Sequence, residues 1–137
     1  MRLLRGMPLL AMLLALAGCA TTIDRGNALR EAQYAWSAAI RWGDFEGAWN
    51  LVDPALRAAH PMTELELARY KQVQISGYND LGERAGEADA EREVLIHVVN
   101  RNTLVERQTR YSERWRYDPE TRAWWNTSGL PDLWPAD

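Results

Sequence analysis

Only one cysteine, Cys19, occurs in 137 residues, which excludes a disulfide framework within the chain and any zinc site of several cysteines. The two histidines, His60 and His97, are too few for a histidine-rich metal cluster, so no metal or other cofactor is implied. A glycine-rich phosphate loop, a Gly-x-Ser-x-Gly elbow and an HExxH pair are all missing, and Ser76 and Ser112 lack any serine-hydrolase context. Lysine occurs once, as Lys71, against fifteen arginines, which we read as base composition. Low-complexity sequence is also missing. With 47% apolar and 26% charged residues the chain has the balance of one soluble domain, too short for two.

The one long apolar run is itself short. It extends from Met7 to Ala17 behind Arg2 and Arg5, the length of a signal-peptide core and well under the roughly 20 residues that span a bilayer. It ends in Leu16-Ala17-Gly18-Cys19, which resembles the bacterial lipoprotein signal in composition and position. That resemblance implies removal of residues 1–18, acylation of Cys19 and a chain held on the membrane. Burial at about 0.8 kcal/mol per methylene makes two or three acyl chains a lasting anchor where one is marginal. Ala20 stands where an aspartate commonly signals inner-membrane retention, so the resemblance points to the periplasmic face of the outer membrane. Loss of Arg2 and Arg5 takes the net charge from −3 to −5, a mild excess that gives no reason to expect nucleic-acid binding.

Residues 19–27 read as the lipidated cysteine and a short polar tether. From Ala28 to Trp42 the apolar positions Ala28, Leu29, Ala32, Ala35, Trp36, Ala39 and Ile40 recur at helical spacing. Gly43 suits a helix end, and Asp44 caps a second helix presenting Phe45, Ala48, Trp49 and Val52. Asp53-Pro54 opens a turn or two to Ala59, and His60-Pro61 breaks it. Thr63 with Glu66 is a capping box for a last short helix to about Lys71. Beyond it, Val73–Gly82, Arg92–Asn100, Leu104–Tyr117 and Arg122–Thr127 read as strands. Residues 83–89 form a polar connection, Arg101-Asn102 and Asp118–Thr121 make turns, and Gly129-Leu130-Pro131 closes the last strand.

Helices followed by hairpin-linked strands predict an α+β fold with a meandering antiparallel sheet. The stretch Ala39–Trp49, the following Val52-Asp53-Pro54 and the late strands ending in Trp124-Trp125 resemble the NTF2-like superfamily. The likeness covers roughly residues 28–134, and the domain is assigned to 28–137. It implies a strongly curved sheet wrapped as a cone around the N-terminal helices, with a pocket at its wide end. Fold alone does not specify function.

Strand alternation sets Tyr111, Glu113, Trp115 and Tyr117 on one face and Arg110, Ser112, Arg114 and Arg116 on the other. If the first face lines a pocket, Tyr111, Trp115 and Tyr117 are the ligand-binding candidates, and Glu113 is a desolvated carboxylate with a raised pKa. His97, inside Val94–Val99, reads as largely buried, and Glu113 with His97 or Tyr111 is the candidate acid–base set. NTF2-like enzymes of the steroid-isomerase and dehydratase type use such groups. The plainer reading is that Glu113 pairs with an arginine and His97 bonds backbone or a tyrosine. Arg101, Arg107, Arg110, Arg114 and Arg116 make a basic stripe that Glu83, Glu87, Asp89, Glu91 and Glu93 complement across the strands; the alternative is contact with lipid phosphates or an acidic partner. Of seven tryptophans, Trp36, Trp49 and Trp115 read as core, Trp124 and Trp125 must face opposite sides of their strand, and Trp134 plugs the cone or meets a partner. The sum is a lipid-anchored envelope protein with a non-catalytic binding or scaffolding role toward a protein partner, a second copy or a small apolar ligand. A small enzyme using a cavity carboxylate is the alternative.

Overall fold

A computed structural model describes the backbone of residues 7–134, and the surroundings of Gly18 and of each side chain from Thr21 to Trp134. The expected leader's first six residues, the Cys19 thiol and the last three residues lie outside what is described. The helices are α1 (Met7–Trp42), α2 (Phe45–Trp49), α3 (Pro54–Ala59) and α4 (Glu64–Tyr70). The strands are β1 (Val73–Ala85), β2 (Asp89–Asn100), β3 (Glu106–Asp118) and β4 (Ala123–Asn126). They pair antiparallel in chain order as one sheet, and α1 covers one face, so the fold is α+β.

The expected helix signals act where they stand. Gly43 takes φ +72° just past α1, a conformation that glycine adopts without a steric cost. Asp44 accepts from the Gly47 amide, Asp53 from the Ala55 amide beside Pro54, and Thr63 and Glu66 close a reciprocal capping box. The buried stripe of α1 is Leu29, Gln33, Trp36 and Ile40, spaced by four and three, whereas Ala35 is exposed. This stripe packs with Phe45, Ala48 and Val52 onto Tyr78, Val94, Ile96, Val98, Tyr111, Trp115 and Trp124 of the sheet.

Four segments differ from the sequence reading. Residues 20–27, expected as a tether, belong to α1. They contain no proline, and Gly26, worth about 1 kcal/mol against helix, is outweighed by contacts that Arg25 makes with the sheet. The second helix stops at Trp49, and Val52 instead forms a parallel bridge with Asn126. The polar connection shrinks to residues 86–88, because Glu83, Arg84 and Ala85 pair with Arg92, Glu91 and Ala90. Residues 83–85 of β1 are exposed on both sides of the strand, so the alternation that marks a strand is erased. Finally, β3 begins at Glu106, two residues late: Leu104 turns with φ +58°, leaving Leu104 and Val105 exposed.

Candidate functional site: a saturated carboxylate

Glu113 is the buried ionisable group on which the sheet's inner face is organised. The register opposes Arg92 to Glu113, Val94 to Tyr111 and Ala90 to Trp115, so these side chains share the face under α1. Glu113 is 0% exposed, and the Arg92 side chain is 12% exposed. Arg92 Nη2 lies 2.8 Å from both carboxylate oxygens. The Tyr78 hydroxyl donates to Oε2 at 2.6 Å, and Trp115 Nε1 donates to Oε1 at 2.7 Å. Tyr78 in turn accepts from Trp36 Nε1 at 3.1 Å, and Arg92 reaches the Gln33 carbonyl at 3.4 Å, which ties the network to α1. Trp36 stacks on Tyr111 and meets Trp115 edge-on, which fills the space around the carboxylate with aromatic rings.

Burial pushes the Glu113 carboxyl above its ordinary value, while the Arg92 charge and the hydrogen bonds from Tyr78, Arg92 and Trp115 pull it back. Tyr78 is pushed strongly upward by burial and by the adjacent Glu113 charge, so it stays a donor. Both oxygens of Glu113 are therefore occupied by donors, and a general base needs a lone pair open to substrate. The arrangement can hold β1, β2, β3 and α1 together. It offers no acceptor to an incoming molecule.

The candidate partners are not brought together. His97 faces the other side of the sheet, opposite Gln108, with Nδ1 3.2 Å from Glu106, so the expected burial beside Glu113 is corrected. The reason is parity: Val94, Ile96 and Val98 point inward, which turns His97 outward. Tyr111 does share the face of Glu113, but its hydroxyl donates to the Gly129 carbonyl at 2.6 Å and accepts from Asn126 Nδ2 at 3.1 Å. Burial also pushes the Tyr111 phenol up. Trp115 is sealed in the core, and Tyr117 is half-buried between Trp124 and the Arg25 guanidinium, 4.3 Å from its ring. The expected ligand-binding set is thus committed to internal contacts.

Cavities open elsewhere. One of about 330 Å³ lies at the end of the sheet among Val73, Val98, Val105, Leu133 and Trp134. Trp134 packs edge-on to Tyr70 under Arg69, and the Tyr70 hydroxyl, raised to about 12 chiefly by burial, donates to the Pro131 carbonyl. Trp124 is buried and Trp125 half-buried on the opposite face. In the basic stripe, Arg116 pairs with Asp53 at 2.8 Å, and Arg114 lies 3.9 Å from Glu91, which also meets Arg84 at 3.4 Å. The plainer reading, that Glu113 pairs with an arginine, holds, with Arg92 as the partner. Sequence reasoning did not name Arg92 and missed Tyr78 and Trp115 as the other donors to Glu113, and cross-strand register was the signal that could have found Arg92.

No protein-family model matches the chain, and no curated protein matches it. Among solved structures it is similar to a SEC-C motif containing protein from Rhodopseudomonas palustris, determined in solution, with a TM-score of 0.56 at 16% identity. That match covers 70% of this chain and 72% of the other, a likeness of fold.

Proposed function

We propose that this chain is a lipid-anchored envelope protein whose NTF2-like domain serves a non-catalytic, scaffolding role toward a protein partner or a second copy. The observation that carries the non-catalytic part is the saturation of Glu113, whose oxygens are all taken by Arg92, Tyr78 and Trp115 inside a core filled with aromatic rings. The anchor part rests on Leu16-Ala17-Gly18-Cys19 behind an apolar run. The cone reading is supported by four helices preceding an antiparallel meander, with α1 against one face and two register shifts in β1 of the kind that bend a strand.

Two measurements test it. Cys19→Ala abolishes metabolic palmitate labelling and removes the protein from the outer-membrane fraction; a variant that still fractionates with the outer membrane overturns the anchor. Native mass spectrometry of the protein purified without ligand exchange gives a mass free of any small molecule. A reproducibly retained small molecule overturns the scaffolding reading and restores a carrier or an enzyme.

A further inference from the structure

The helical course of residues 20–27 determines how the domain meets its membrane. Arg25 is where α1 first grips the sheet: its carbonyl accepts from Trp124 Nε1 at 3.0 Å, its guanidinium lies over Tyr117, and Nη1 reaches the Glu87 carbonyl at 3.4 Å. Between Cys19 and that clamp the helix is unbroken. Six residues of helix rise only about 9 Å. Beside this stalk opens a cavity of about 550 Å³, walled by Gly18, Thr21 and Thr22 on one side and by Ala85, Gly86 and Glu87 on the other. The tip of the β1–β2 hairpin therefore stands level with the residues that flank Cys19. The turn after β3 is at the same end, since the Tyr117 amide donates to the Ala88 carbonyl at 2.9 Å.

We propose that the acylated protein stands on the bilayer by this end, with the hairpin tip, residues 86–88, against the phospholipid headgroups and the α1 stalk fixing its orientation. The proposal rests on the lipid-anchor reading above. A flexible tether would let the domain tumble, whereas a helix clamped at Arg25 transmits the position of Cys19 to the whole sheet. From Cys19 to Trp42 the helix spans about 35 Å. The opposite end, where Trp42 is 87% exposed and Leu104 and Val105 stand free of the core, is then turned away from the membrane toward soluble partners. Charge does not drive the contact: Asp24, Glu87, Asp89, Asp118 and Glu120 mingle there with Arg25, Arg84 and Arg122, without the basic cluster that draws proteins to anionic lipid. Salt consequently does not weaken the contact.

The experiment uses the mature lipoprotein purified from membranes and reconstituted into phosphatidylethanolamine–phosphatidylglycerol vesicles doped with a headgroup-nitroxide lipid. Its intact mass is read first; a chain of unmodified mass overturns the anchor reading and this proposal with it. Because the anchor occupies the native thiol, a fluorophore on Glu87→Cys or Asn102→Cys reacts at the introduced residue alone. Quenching of the Glu87→Cys probe is expected to exceed that of the Asn102→Cys probe several-fold, and no less at molar than at low salt. A flexible Gly-Ser insert between Cys19 and Ala20 brings the two values together. Equal quenching at native spacing, or stronger quenching at Asn102→Cys, in protein of acylated mass overturns the orientation and leaves the anchor reading standing.

Discussion

Glu113 and Glu91 are both glutamates bonded to arginine within one sheet, yet they occupy opposite faces and opposite electrostatic conditions. Glu113 is sealed from water with Arg92, Tyr78 and Trp115 around it. Glu91 keeps its solvent, and its partners Arg84 and Arg114 are largely exposed, at 3.4 and 3.9 Å. Water makes the second pair nearly interchangeable with hydration, while its removal makes the first pair obligatory once folded. An ion pair's importance is thus decided by which side of the pleat it falls on. Strand parity assigns that side.

The sharpest way to break the contrast is to remove one inner partner. Arg92→Met leaves Glu113 buried without its countercharge, and the expected loss is about 3–5 kcal/mol in urea unfolding at neutral pH. Replacing both, as Arg92→Met with Glu113→Leu, restores most of that loss, because a packed apolar pair demands no solvation in return. Acidification also recovers part of the single variant's loss, since protonation then neutralises the stranded carboxyl. If the single variant unfolds at the wild-type midpoint, the network does not hold the sheet together.

A weaker effect follows from the raised pKa of Glu113 itself. Between the ordinary carboxyl value of 4.5 and the raised folded value, the native state keeps a proton that the unfolded chain has released. Stability attributable to this group therefore falls as pH rises through that window and is fully present below it. Glu66 and Asp118, held low by hydrogen bonds at the start of α4 and the end of β3, slope the opposite way, so the wild type alone does not isolate the effect. The informative quantity is the stability of wild type minus that of Glu113→Gln across pH, which is expected to decline with rising pH. A difference that climbs instead means that Arg92 and the hydrogen bonds outweigh burial.

Much of this was legible beforehand. The starts of α2, α3 and α4 were each announced by a side chain that caps them, at Asp44, Asp53 and Thr63, because capping is local chemistry. The alternation over Tyr111–Tyr117 correctly separated the inner from the outer side of β3, because one face there is dry. What failed was less local. A two-residue turn at Arg101-Asn102 would pair Glu113 with Ala90, whereas the longer connection pairs it with Arg92. Either register keeps His97 on the far face, so the parity argument against a Glu113–His97 pair was available from the strand pattern. The helical course of residues 20–27 was not, since it depends on Trp124 and Tyr117, about a hundred residues away along the chain.

The outer face supplies the smallest expected effect and the control for the inner one. Glu91→Gln removes the charge that Arg84 and Arg114 share, yet all three groups remain hydrated, and the predicted change is within about 0.5 kcal/mol, shrinking further in salt. A loss of the size expected for Arg92→Met would mean that the arginine stripe is structural, and the contrast between the faces would collapse. A change within that limit leaves Arg84 and Arg114 as surface charges whose pairing contributes little to folding. Their arrangement is then free to be read by whatever meets the outer face of the sheet, and the carboxylate at the centre of the inner face is not.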